Sequence, residues 1–406
     1  MASWTLVGSH IDGAAANDEF GHGVAINDDG TIVACVATHD ESSQGTVQVY
    51  EYSGGSWSTK GALISDGAAG EQKWAIQLSS DGSRMIVGSR LADVPTTNAG
   101  KITMYEFGGT NYAIMGSVIT GIASTSGKGR YVDMSDDGSL VITGGDGYDG
   151  GAGSNSGYVD VYEWSGSAWG LKGSRLLGAA AGDFFGRSVG ISGDGTAIVV
   201  GAHRTGADAG SVYVYEWSGS AWVQKGDTIT GASSDQIGGY VDINGDGTVI
   251  AVQTWAASGA GGPYTKIYEY DGIGDEWDLI GSALVNTDTN TGVRINEVGD
   301  VVAIADSAYT STQGRIRVYK NINSTWTQQG SDITGAAGSQ FGNKLDISEY
   351  GDYVIGGAPL DDTAASNAGR VSVYYNSDLT PSSGGSAICT GTGTFVVSGS
   401  GTLTVQ

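Results

Sequence analysis

"FGRSVGISGDGTAIVVGAHR", residues 185–204, reads as two short strands about a tight turn. Val189 and Ile191 alternate with the small Ser188 and Gly190, and Asp194-Gly195 supplies the positive φ that a tight hairpin needs. An isolated two-stranded hairpin is marginal in water, so the stretch calls for neighbours. The chain supplies them: "FGHGVAINDDGTIVACVA" from Phe20, "VDMSDDGSLVITGG" from Val132, "YVDINGDGTVIAVQ" from Tyr240 and "FGNKLDISEYGDYVIGGAP" from Phe341 repeat the pattern.

Each copy continues into a third strand that ends in tyrosine, at Tyr50, Tyr105, Tyr162, Tyr215, Tyr268, Tyr319 and Tyr374, spaced by 51 to 57 residues. A fourth strand follows in the form W-x-x-x-G, opened by an aromatic at Trp4, Trp57, Tyr112, Trp169, Trp222, Trp277 and Trp326. Four strands per unit and seven units predict an all-β fold, a seven-bladed β-propeller with four-stranded blades, over residues 1–376. Strand faces that are bulky on one side and small on the other suit blades stacked face to face.

Residues 4–11 form a lone fourth strand, while the last unit, residues 341–375, holds only three. The N-terminal strand is therefore expected to close the last blade and remove the open edge of the ring. Residues 377–406 begin as a Ser/Gly/Pro linker and end in a predicted C-terminal β-hairpin, "TGTFVVS" and "TLTVQ" around Gly-Ser-Gly. That extension is expected to dock on the propeller or on a neighbouring molecule.

Composition agrees with many short strands and Gly-rich turns: 70 Gly, 20 Tyr and 10 Trp against 4 Pro. No apolar run approaches the length of a membrane-spanning helix, so no membrane insertion is expected. A net charge of −25 argues against nucleic acid as a partner. It reads instead as solubility in a salty medium, with divalent-cation binding as the sharper alternative. Cys35 stands where other copies place Gly or Ala and reads as a small buried residue; with Cys389 far away, no disulfide framework is expected. The opening "MASWTLVGSH" has neither a basic n-region nor an apolar h-region, so no cleavable signal peptide is expected.

Phe185-Gly186 with Gly201-Ala202, and Phe341-Gly342 with Gly357-Ala358-Pro359, resemble the FG-GAP repeat of integrin α-chain propellers and related microbial proteins. The longer consensus, W-x-x-x-G followed by "DG" and "VY", is similar to propellers of marine microbes and their viruses. In that family the first turn often expands into a D-x-D-x-D-G calcium loop; here the turns are four-residue links such as "SGDG" and "NDDG", so calcium is not carried over.

Turns alternate between the two faces of a propeller. The "DG" turns and third-to-fourth links share one face, and the loops that differ from copy to copy share the other. Recognition on a repeat scaffold sits where loops diverge, so the candidate binding residues are Asp40, Glu41, Asp146, Tyr148, Asp149, Trp255, Tyr309, Asp361 and Asp362. Asp133, Asp242, Arg294 and Asp346 occupy equivalent positions near the axis, but no pair of differently tuned acids can be assigned there. The four histidines lack metal-ligand spacing and no G-x-S-x-G elbow is present, so no cofactor, metal site or catalytic residue is assigned.

The expectation is a non-enzymatic recognition or assembly protein, a virion component of a phage or algal virus or otherwise extracellular. It would bind a protein, cell-surface glycan or receptor through its variable face and join a larger assembly through residues 380–406. A glycan-active enzyme and a calcium-dependent adhesin on the same scaffold are the alternatives.

Overall fold

A computed structural model describes residues 3–255, 263–285 and 292–379. The unit met first builds one antiparallel sheet from Ser188–Ile191, Ala197–Ala202, Ser211–Trp217 and Trp222–Gln224, running from the inside outward. A further pair, Ile229–Thr230, continues the outermost strand along the same partner. Seven such sheets form, and their innermost strands adjoin one another in a closed circle. The chain is an all-β, seven-bladed propeller with four-stranded antiparallel blades.

Alternation along the strands explains how the blades stack. In Ala197–Ala202, Ile198 and Val200 pack against Val159 and Val161 of the preceding blade. Ala197 and Val199, on the opposite side, pack against Val241, Ile250 and Val252 of the following one. Period-2 patterning thus distributes each strand between two cores. Each fully buried Val or Ile contributes about 1.5–3 kcal/mol. Cys35 is fully buried beside Val24 and Val371 in the core at the closure.

Two glycines of the repeat meet across four of the seven blade boundaries, Gly88 with Gly129, Gly144 with Gly186, Gly201 with Gly238 and Gly357 with Gly21. A Cβ built on Gly144 would lie 1.9 Å from the carbonyl oxygen of Gly186, and one on Gly357 would lie 1.9 Å from that of Gly21. The glycine that ends the second strand of one blade therefore accommodates the Phe-Gly backbone of the next, a spacing that no side chain permits.

The ring closes as expected. Thr5 pairs with Tyr375 and Leu6 with Tyr374, then Ile11 with Val371 and Asp12 with Arg370. The C-terminal hairpin expected within residues 380–406 lies outside the described residues.

Two further rings hold the blades together. At the rim, outer-strand tryptophans donate their indole N–H to a backbone carbonyl of the preceding blade: Trp57 to Val7, Trp169 to Met115, Trp222 to Lys172, Trp277 to Lys225, Trp326 to Ile280 and Trp4 to Gln329, at 2.8 to 3.0 Å. Tyr112 stands at the seventh position, where Asn111 Oδ1 instead accepts the N–H of Ala62 at 2.9 Å. At the axis, the hairpin tips form a circle of main-chain hydrogen bonds: Asp28 to Ser80, Ser80 to Asp136, Asp136 to Gly193, Asp194 to Gly245, Gly245 to Glu297, Glu297 to Glu349, and Glu349 back to Asp28. Inside each Asp-Gly turn the carboxylate accepts the N–H two residues on, as Asp194 does from Thr196 at 2.9 Å, and Gly195 has φ of +70°.

Candidate binding site at the channel mouth

The innermost strands share one pattern, a bracketing pair of core residues such as Val24/Ile26, Val132/Met134 and Leu345/Ile347. Between the members of that pair lie Asp133, Asp242, Arg294 and Asp346. The three aspartates are at most 5% exposed. Each accepts the main-chain N–H of the next blade: Asp133 from Ile191, Asp242 from Ile295 and Asp346 from Ile26, at 2.8 to 3.0 Å. Arg294 lies between Asp242 (3.4 Å) and Asp346 (3.1 Å). Burial raises all three acids, Asp133 to about 7 and Asp346 to about 6, with Arg294 opposing the rise. This central layer stitches blade to blade.

On the side of the Asp-Gly turns the channel ends in carboxylates. A cavity of about 540 Å³ is lined there by Asp28, Asp136 and Glu297 above the aspartate layer. Burial, followed by the charges of Asp136 and Asp28, pushes Glu297 up to about 9.

On the side of the variable loops the chemistry reverses. A cavity of about 640 Å³, counted out to solvent, is lined by Trp74, Tyr131, Tyr240, Arg130 and Lys344. These side chains come from the two positions that precede the core pair in their strands: Trp74 and Arg130 from the first, Tyr131, Tyr240 and Lys344 from the second. Arg90 stacks over Trp74 at 3.6 Å, and Arg187 lies 4.0 Å from the Trp255 ring and 5.1 Å from that of Tyr131. Tyr240 stacks on Trp255 with centroids 5.5 Å apart. The Lys344 ammonium stands 5.7 Å from the rings of both Tyr131 and Tyr240. Burial, reinforced by Arg187, Arg294 and Arg130, pulls Lys344 down to about 7. Burial and nearby cations also hold His22 and His203 down to about 3, so both imidazoles are neutral.

Of the nine residues expected from the sequence, Asp146 and Trp255 stand at this mouth. Asp146 pairs with Arg187 at 3.3 Å and with Arg130 at 3.5 Å. The others are spread around the same face and engaged within it. Asp40 accepts from Thr46 Oγ1 at 2.9 Å, Asp149 from the N–H of Asn155 at 2.8 Å, and Asp362 from that of Asn367 at 2.7 Å. Asp361 accepts the N–H of Thr363 and lies 3.9 Å from Arg370. Tyr148 meets Tyr158 edge-on, and Arg315 covers the Tyr309 ring at 3.9 Å. Glu41 lies in the short helix Asp40–Ser43, and its side chain is outside the described residues.

The sequence reading did not single out Trp74, Arg90, Arg130, Tyr131, Arg187, Tyr240 or Lys344. Apart from Arg90, which follows the strand Arg84–Ser89, the available signal was their place just before the core pair; at the nearer of the two positions, that of Tyr131, Tyr240 and Lys344, the other copies carry Gly, Ala or Ser.

Residues 178–215 match the FG-GAP repeat family, covering the unit on which the repeat was first recognised. No curated protein matches the chain.

Proposed function

We propose that this seven-bladed FG-GAP-repeat propeller is a non-enzymatic recognition protein that engages its partner with the face carrying the variable loops. The observation that carries this reading is the contrast between the two ends of the channel. The Asp-Gly end is rimmed by a circle of main-chain hydrogen bonds and lined by carboxylates, whereas the opposite mouth gathers cations and aromatic rings from five blades. A binding role is favoured over a catalytic one because the three central carboxylates are committed to main-chain N–H groups of neighbouring blades.

The setting we propose is a virion surface or appendage, with residues 380–406 joining the propeller to a larger particle. Support for the setting comes from the resemblance to viral propellers and from the hairpin pattern of that segment. An antibody label on residues 380–406 would be covered on intact particles and exposed on the isolated chain. A label equally exposed in both would remove the assembly role.

Binding itself is tested by probing glycan and protein arrays with the full chain and with a variant whose loop 145–157 is replaced by a short Gly-Ser turn. Loss of binding in the folded variant supports recognition by this face. Unchanged binding, or turnover of a bound polysaccharide, would overturn it.

A further inference from the structure

The mouth on the variable-loop face is positive in a chain whose net charge is −25. Arg90, Arg130, Arg187 and Lys344 converge there, and among the described residues Asp146 pairs with two of them, Arg130 and Arg187. Several donors there have no acceptor among the described residues: Arg187 is 4% exposed, and its Nε, like those of the half-buried Arg90 and Arg130, has no hydrogen-bond partner. The Lys344 ammonium faces two tyrosine rings rather than a carboxylate. A buried donor left without an acceptor costs about 1–3 kcal/mol, so a cluster of such donors lining a cavity favours a ligand that brings acceptors.

Shape and surroundings narrow the class of that ligand. Trp74, Tyr131 and Tyr240 line the mouth beside the cations; Trp74 carries Arg90 over its ring and Tyr240 stacks on Trp255, and the apolar surface these rings leave to the cavity suits the C–H face of a saturated ring. The lining is drawn from the innermost strands around the axis, so the mouth admits a group entering along the channel rather than a chain laid across it. A polyanion lying across the surface would be repelled by the overall negative charge, whereas a single anionic end group entering the positive mouth would be drawn in.

We propose that the channel mouth binds, end-on, the terminal carboxylate-bearing sugar ring of an acidic glycan. Arg130 and Lys344 take the carboxylate, and Trp74, Tyr131 and Tyr240 take the faces of the ring. Guanidinium geometry favours a carboxylate held by paired N–H donors, while the ammonium adds a movable charge. This assignment rests on the reading of the variable-loop face as the recognition surface, and it names the chemistry that face would select.

The test is calorimetric titration of the full chain with free glucuronate, with glucose and with acetate. Glucuronate is expected to bind at least about tenfold more tightly than either control, a difference of about 1.4 kcal/mol. Lys344→Gln and Arg130→Gln should each weaken glucuronate by about tenfold or more while leaving the circular dichroism spectrum intact. Equal affinity for glucose would remove the role of the cations, and equal affinity for acetate would remove the role of the aromatic walls. Unchanged affinity in both variants would place the ligand elsewhere. Should either variant fail to fold, saturation-transfer NMR on the unaltered chain decides the matter. Irradiating aromatic protons must then transfer to the glucuronate ring, and its absence overturns the proposal. The loop 145–157 variant separates the two levels: array binding lost in that variant, with no glucuronate affinity in the parent, sinks the sugar-acid assignment and leaves the recognition face standing.

Discussion

Glu297 lies across Gly193: a Cβ built on the glycine would sit 2.6 Å from Glu297 Oε2 and 2.5 Å from both carboxylate oxygens of Asp136. Two carboxyl groups from blades on opposite sides of the axis therefore converge on one glycine. Gly245 makes room in the same way, since its Cβ would fall 2.1 Å from Glu297 Oε2. The glycines of "SGDG" and "NGDG", where other copies carry Asp28, Ser80, Asp136 or Glu349, are the space into which Glu297 folds.

This crowding gives a pH dependence of definite sign. Glu297 is pushed up to about 9 from its ordinary 4.5, by burial first and then by Asp136, Asp28, Asp242 and Asp133. The folded chain holds a proton that the unfolded chain releases, so the associated stability is full below pH 4.5 and is lost as pH rises toward 9. Glu297→Gln, which keeps the shape without the charge, should be more stable than the parent at pH 8 by at least about 1 kcal/mol and equal to it near pH 4. Urea denaturation at the two pH values measures this. A variant less stable at pH 8, or one with the same offset at both, contradicts the account.

The indole belt supplies a second expectation. Trp277 is 8% exposed and donates to the carbonyl of Lys225 at 2.9 Å. Trp277→Phe keeps most of the packing and strands that carbonyl, at a cost of about 1–2 kcal/mol, whereas Trp277→Ala removes the ring and costs about 3–5 kcal/mol. Chemical denaturation of the pair separates the hydrogen bond from the packing. Equal losses would mean that the bond contributes nothing.

Periodicity explains what could be read from residues alone. The tryptophans, the tyrosines and the Asp-Gly turns do the same work in each blade, so they recur and announce the fold. The mouth is built in the opposite way. Trp74, Arg130 and Arg187 share a repeat position that elsewhere holds His22, Gly239 and Asn343, and Lys344 stands where other copies place Gly23, Ala75 or Ser188, so neither position repeats one residue type around the ring. A search for sameness passes over them. Their convergence also depends on ring closure, which brings Lys344 beside Tyr131 and Tyr240 although the three are far apart in the chain. Asp146 and Trp255 were found because they lie in loops marked by their own variation. Asp149 and Asp362 lie in such loops too, and there they fasten the loop's own backbone.

Closure by the N-terminal strand is expected to govern cooperativity. Removing residues 1–12 deletes the pairing of Thr5 and Leu6 with Tyr375 and Tyr374, the Trp4 bond to Gln329, and the Val7 carbonyl that receives Trp57. It also leaves Arg370–Tyr375 as an open edge. The truncated chain should melt at a lower temperature and form oligomers visible by light scattering. A monomer with the parent's melting temperature would show the closure to be dispensable.

Between the second and third blades a buried ionic cluster makes a fourth case. Lys128 Nζ and Asp160 Oδ2 are 2.9 Å apart with both side chains fully buried, and Arg175 reaches the same carboxylate through Nε and Nη2 at 2.8 and 2.9 Å. Asp160→Asn leaves the Lys128 ammonium buried without its counterion and should cost about 3–5 kcal/mol. Replacing the pair together, Lys128→Met with Asp160→Leu, should cost less than Asp160→Asn alone. A double variant that is worse than the single one would show that the ion pair itself, rather than the stranded charge, carries the stability.

Lys344 is where binding and stability are expected to oppose each other. Burial comes first, and the like charges of Arg187, Arg294 and Arg130 follow, pulling it down to about 7 from 10.5; its neighbours among the described residues include the rings of Tyr131 and Tyr240 and the imidazole of His22. Between pH 7 and 10.5 the unfolded chain holds a proton that the folded chain has released, so stability rises with pH across that window. Below pH 7 both forms are protonated and the folded chain bears the full cost of the buried charge. Lys344→Met should therefore be more stable than the parent at pH 6, by at least about 1 kcal/mol, and the advantage should shrink as pH approaches 10.5. The same residue must be charged to hold an anion, so anion affinity in the parent should fall as pH rises through 7 and binding near that pH should take up a proton, measurable as a buffer-dependent heat. A variant without the pH 6 advantage, or an affinity that does not change between pH 6 and 8.5, would remove Lys344 from both roles.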